Sequence, residues 1–166
     1  MKPQYLLEKI QIGPLMLHLR TGYDETKGCM IFWIDLFAGA GGTTTGIHLA
    51  GLENVKVVAC INHDYNALMS HWLNHPNCMH FVEDVRDFKV VEALRELVNK
   101  LRSEFPGCKI NLWASLECTN YSKAKGGLPR DADSRTLAHA LFMYIDELQP
   151  DYVWIENVRE FMSWGP

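Results

Sequence analysis

From Met30 onward the hydrophobic positions fall into short apolar runs, separated by longer stretches in which apolar residues recur every three or four places. The runs Met30 to Leu36, Val55 to Ile61, Met79 to Val82, Ile110 to Ala114 and Tyr152 to Ile155 predict strands. Most are apolar throughout, as strands buried on both faces are. The intervening pattern predicts helices over Gly42 to Ala50, Tyr65 to Leu73, Lys89 to Arg102 and Ser134 to Leu148. The third is the clearest: Val90, Val91, Leu94, Leu97, Val98 and Leu101 form one face, while Glu92, Arg95, Glu96 and Lys100 form the other. Phe105-Pro106-Gly107 then breaks the pattern before the next strand. Strand and helix in strict alternation predict an α/β fold, a Rossmann-like doubly wound and mostly parallel sheet truncated after its fifth strand.

Two segments stand outside that alternation. Residues 1 to 29 read as an N-terminal extension that Gly13-Pro14 and Thr21-Gly22 divide into two apolar pieces, and residues 30 to 166 read as one domain. Thr119 to Asp133 is a long polar loop carrying Lys123, Lys125, Gly126, Gly127, Pro129 and Arg130, and a loop of that length in a compact domain usually serves a function. At 166 residues and 48% hydrophobic the chain can bury a real core. A net charge of -4 argues against a surface that binds nucleic acid by charge alone, so such contact must be local or made elsewhere. Five cysteines without C-x-x-C spacing read as reduced thiols of a cytoplasmic protein, and no apolar stretch approaches the roughly 20 residues of a spanning helix.

The candidate chemistry collects at strand ends. Asp35-Leu36-Phe37-Ala38-Gly39-Ala40-Gly41-Gly42 follows the first strand and opens the first helix, where α/β sheets admit a ligand. Thr44 stands where a dinucleotide fingerprint wants a third glycine, and no lysine follows Gly46 as a P-loop requires. Asn62-His63-Asp64 follows the second strand and Glu83-Asp84-Val85 the third. Carboxylates there suit the hydroxyl and amine donors of a nucleoside, while ordinary helix capping by Asp64 and Asp84 explains them equally well. Cys118 follows the fourth strand as a candidate nucleophile toward a bound ring, and Glu156-Asn157-Val158 follows the fifth, with a carboxylate able to exchange a proton with a ring nitrogen. His71, His75, Cys78 and His80 suggest a metal cluster, but Pro76 ends the helix and the remaining spacing fits no zinc pattern. They are read as helix-end and loop residues, and no metal is assigned. No Gly-x-Ser-x-Gly elbow supports a serine hydrolase.

In this order, over residues 31 to 164, these motifs resemble the cytosine-5 DNA methyltransferases. The resemblance implies S-adenosylmethionine as cofactor, with Asp35, Phe37, Gly39, Gly41 and Gly42 in its glycine motif, Asn62, His63 and Asp64 near the ribose, and Asp84 at the adenine amino group. It implies Cys118 as nucleophile, with Ser122, Glu156 and Asn157 in the catalytic motifs and Asp133 to Leu137 opening the next helix. The implied substrate is a cytosine flipped out of double-stranded DNA, and Lys123, Lys125, Arg130 and Arg135 would approach the backbone.

The pattern departs from the family at two places. Leu116-Glu117-Cys118-Thr119 stands where the family has Pro-Pro-Cys-Gln, and Asn62 stands where a glutamate usually takes the ribose hydroxyls. The family's later arginine-bearing strand, target-recognition domain and last cofactor-binding helix have no counterpart, so the expected partner is the C-terminal part of the same enzyme. The competing readings are an RNA cytosine-5 methyltransferase and a non-catalytic S-adenosylmethionine- or DNA-binding regulatory module of the same fold.

Overall fold

Phe32, Ile34 and Leu36 alternate along the first predicted strand with Trp33 and Asp35, so one side of that strand is wholly apolar and the other mixed. In the computed structural model, which describes residues 29–116 and 133–157 (the backbone alone over 133–138), this strand lies at the centre of the molecule. The elements run β1 (Ile31–Leu36), α1 (Gly42–Leu49), β2 (Val55–Ile61), α2 (Tyr65–Asn74), β3 (Met79–Phe81), α3 (Phe88–Glu104), β4 (Lys109–Ser115), α4 (Asp133–Leu148) and β5 (Tyr152–Glu156). Each predicted element is present, with ends displaced by at most two residues. The five strands form one all-parallel sheet in the order β3-β2-β1-β4-β5. The order reverses between β1 and β4, and that switch point opens the crevice where such sheets bind ligands.

The apolar face of the sheet carries the main core. Phe32, Ile34, Leu36, Ile110, Leu112 and Ala114 pack with Val90, Leu94, Leu97 and Leu101 of α3 and with Leu141, Tyr144 and Leu148 of α4. Tyr144 also donates from its hydroxyl to Val85 O at 2.8 Å, which ties α4 to the turn after β3 and satisfies a polar atom inside the core. Asp64 and Asp87 cap α2 and α3 by accepting backbone N–H bonds.

The sheet has one irregularity, between β1 and β2. Trp33 pairs with Val57 but Ile34 pairs with Ala59, so Val58 is an extra residue in β2. A bulge of this kind re-aims the residues beyond it. Ala59 and Ile61 thereby join the main core, while Cys60 turns to the opposite face beside Ala38, Leu68 and Cys78. Across that opposite face the register aligns Trp154, Trp113, Asp35, Cys60 and His80 in one row over five strands. At its far end the Trp33 and Trp154 rings stack with centroids 6.0 Å apart, and β5 exposes Tyr152, Val153, Trp154 and Ile155.

Candidate functional site

The turn after β1 is built from left-handed residues. Phe37 has φ 62°, Gly39 φ 53° and Gly41 φ 98°. Glycine adopts this region freely, whereas at Phe37 it costs on the order of 1–3 kcal/mol, strain that the surrounding structure must hold. The three glycines here do different work. A Cβ on Gly41 would stand 2.8 Å from His71 Cδ2, so Gly41 is demanded by packing. Beside Gly39 and Gly42 a Cβ would meet nothing within 4 Å among the described residues, so these two border space that those residues leave open. Among the described residues no side chain caps α1 at Gly41, and its first turn carries no acidic residue. An uncapped helix start next to open space suits a ligand carrying a carboxylate or other anionic group.

Asp35 lies beneath this turn, 1% exposed. Thr44 Oγ1 donates to its Oδ2 at 3.4 Å, and Oδ1 has no hydrogen-bond partner among the described residues. Loss of water raises its carboxyl from near 3.8 to about 7, against the opposing pull of His71 and the Thr44 hydroxyl. Asp35 therefore faces inward, toward Thr44, rather than into the crevice.

The acids at the next strand ends already have protein partners. Asp64 Oδ1 accepts from Asn66 N at 2.8 Å and Ala67 N at 3.1 Å, which is the capping arrangement. Asp84 does not cap α3; Asp87 does. Asp84 instead accepts from Arg86 N at 2.8 Å and from the Arg86 guanidinium, with Nη2 at 2.6 Å. Those hydrogen bonds from Arg86 hold the Asp84 carboxyl below its ordinary value. Asn62, half-buried, donates from its backbone N to Phe81 O at 3.1 Å, and His63 is exposed beside it.

Across the switch point, β4 and β5 exit side by side. Ser115 pairs in register with Glu156, and Asn157 Nδ2 donates to Leu116 O at 3.3 Å. Asn157 thus fastens the end of β5 to the backbone two positions before Cys118 in the sequence. Glu156 is exposed at this edge. Cys118, Ser122, Lys123, Lys125 and Arg130 lie outside the described residues, and of Arg135 only the helical backbone is described.

The structure also joins residues that spacing alone kept apart. His71 in the last turn of α2, Cys78 in the following turn and His80 in β3 are buried and converge with Cys60. His75 stays outside the group, with its Nε2 2.8 Å from Thr45 Oγ1. Sequence reasoning missed Cys60 because the apolar run of β2 has no alternation to reveal the bulge that turns it.

A family model, C-5 cytosine-specific DNA methylase, matches residues 31–164. DNA (cytosine-5)-methyltransferase 1 of Rattus norvegicus is 30% identical over 139 residues, covering 78% of this chain and 8% of that protein. DNA (cytosine-5)-methyltransferase 2 of Arabidopsis thaliana is 26% identical over 158 residues, covering 80% and 10% respectively. The chain thus spans about a tenth of these curated relatives. Among solved structures, one assigned as a DNA modification methyltransferase encoded within an E. coli prophage aligns with a TM-score of 0.57 at 25% identity, over 80% of this chain and 33% of that one. The S. pombe Dnmt2 methyltransferase shares the fold with a TM-score of 0.54 at 19% identity, over 78% and 34%. With its glycine turn, its strand order and its Glu-Asn-Val exit all falling inside the matched span, the chain belongs to the C-5 cytosine-specific DNA methylase family.

Proposed function

We propose that the protein carrying this chain methylates C5 of cytosine in DNA through a covalent adduct at Cys118. The observation that carries the reading is the pairing of β4 with β5, which sets Glu156 beside the strand exit leading to Cys118. The Asn157 bond to Leu116 O holds that exit in place.

The site also suits S-adenosylmethionine. Among the described residues, space is left open beside Gly39 and Gly42 and nothing caps the α1 start, while Asn62, His63, Asp64 and Asp84 stand at the neighbouring strand ends with Phe37 in the turn. When bound there, the cofactor supplies an activated methyl group. For Asp84 to take an adenine amine it must share its carboxylate with Arg86, and for Asp64 to accept from the ribose hydroxyls it must do so while capping α2.

The protein's own groups then act on the ring. A cytosine inside the duplex cannot expose C6, so the base is flipped out, with Lys123, Lys125, Arg130 and Arg135 neutralising nearby phosphates. The Cys118 thiolate adds to C6, which makes C5 nucleophilic. Glu156 hydrogen-bonds N3 and the exocyclic amine and so stabilises charge pushed into the ring. Ser122, four positions after the nucleophile in the sequence, is the serine of the same catalytic motif by the resemblance. Loss of the C5 proton and of Cys118 restores the aromatic ring.

The test is to incubate the protein with cofactor and DNA carrying 5-fluorocytosine, and to map any covalent adduct by mass spectrometry. An adduct on Cys118, absent in Cys118→Ser, is expected. Intact cofactor binding without an adduct on DNA or RNA would establish the non-catalytic reading, which Glu117 and Asn62 favour. An adduct on RNA alone would move the substrate class.

A further inference from the structure

Cys60, His71, Cys78 and His80 come from β2, α2, the α2–β3 turn and β3, and their ligand atoms all lie within 4.8 Å of one another. Cys60 Sγ is 3.7 Å from Cys78 Sγ and 3.6 Å from His71 Nδ1, and Cys78 Sγ is 3.5 Å from His80 Nε2. A tetrahedral ion with Zn–S of about 2.3 Å and Zn–N of about 2.0–2.1 Å requires S···S near ~3.8 Å and S···N near ~3.6 Å. All three distances agree. The His71 Nδ1 to His80 Nε2 separation, 2.9 Å, is shorter than the ~3.4 Å such an ion requires, so binding must part these two nitrogens by about half an ångström.

We propose that these four residues hold a structural zinc ion beneath the glycine turn. The donor set of two thiols and two imidazoles is the one zinc prefers, and four protein ligands leave no position open for substrate. Binding releases both thiol protons to solvent and joins two thiolates to a doubly charged ion, so the occupied site carries no net charge and suits its burial.

The surroundings orient the ligands. His71 uses Nδ1 toward the cluster, while its Nε2 lies 2.9 Å from Thr44 Oγ1, which donates in turn to Asp35. A proton on Nε2 leaves the Nδ1 lone pair for the metal, the usual way an outer partner fixes a ligating histidine. The bulge at Val58 aims Cys60 at this face, and Cys60 pairs in register with His80. A cleft of about 420 Å³ lined by Thr44, His48, His75 and Cys78 gives an ion access. Gly41 rests against the His71 ring, so the ion would brace the cofactor turn without touching the cofactor.

The experiment measures metal in the full-length protein purified under reducing conditions, then replaces it with Co²⁺. One zinc per chain, and the intense visible bands of tetrahedral Co²⁺ with thiolate-to-cobalt charge transfer, are expected. His75→Asn should retain both signals. Thr44→Val should weaken metal binding by about 10–100-fold, as loss of an outer-shell partner does. Cys78→Ser should abolish the charge-transfer signature of two thiolates. Should that variant fail to fold, wild-type protein stripped by a chelator serves instead, and added Zn²⁺ should raise its Tm. A folded, reduced protein that takes up neither zinc nor cobalt, an octahedral cobalt spectrum, or a Tm that added zinc leaves unchanged would overturn the proposal.

Discussion

Gly41 and Gly42 are adjacent in the chain yet answer to different constraints. Gly41→Ala places a methyl group against a buried imidazole at a left-handed φ, and should cost about 1–3 kcal/mol in chemical denaturation. Gly42→Ala adds a methyl group in space that the described residues leave open at a helix start and should leave stability within about 1 kcal/mol. If that space is the cofactor's, the second variant loses cofactor affinity without losing stability. Asp35 gives a second residue-level expectation. Its folded-state pKa of about 7 lies above its ordinary value, so the folded protein holds a proton that the unfolded chain releases, and its contribution to stability falls as pH rises from about 4 to 7. Asp35→Asn should remove that slope, worth on the order of a few kcal/mol, when unfolding free energies of variant and wild type are compared at pH 5 and pH 8. The sequence placed Asp35 correctly at the end of β1. Its inward orientation was not legible there, because it depends on Thr44 and His71 arriving from two other elements.

At the scale of elements, capping and ligand binding make different demands on the same acid. Asp64→Ala should destabilise by about 0.5–2 kcal/mol while Asp64→Asn, which also caps, should not; a loss of cofactor affinity common to both variants would show a ligand role beside the cap. The tie between β4 and β5 is tested at Asn157. Asn157→Ala should slow adduct formation on 5-fluorocytosine DNA by about 10–100-fold with cofactor affinity unchanged, as small misplacements of reacting groups do. Elements were the most legible level. The apolar face of α3 and the uninterrupted strands read directly from their periodicity, and the Phe105-Pro106-Gly107 stop fell where the helix ends. The β2 bulge did not. In Val55-Lys56-Val57-Val58-Ala59-Cys60-Ile61 apolar residues lie on both sides, so a shift of one place leaves no mark on the pattern, and the partners of Cys60 were hidden with it.

For the whole molecule, the sheet is graded from a sealed centre to an open margin. β1 has a strand on each side and three fully buried apolar residues, whereas β5 has one neighbour among the described residues and exposed apolar side chains. Amide hydrogen exchange should therefore be slowest in β1 and β4 and fastest in β5, and uniform protection across all five strands would contradict this grading. Among the described residues no helix is long and apolar enough to cross a membrane. The order β3-β2-β1-β4-β5 also sets a timetable for the nascent chain. Ile31 meets Val55 soon after both leave the ribosome, but its other partner, Lys109, is made much later. Until then one edge of the central strand stays unpaired and sticky, so a pause in translation before β4 is the moment of greatest exposure to misassembly and the point at which a chaperone would matter most.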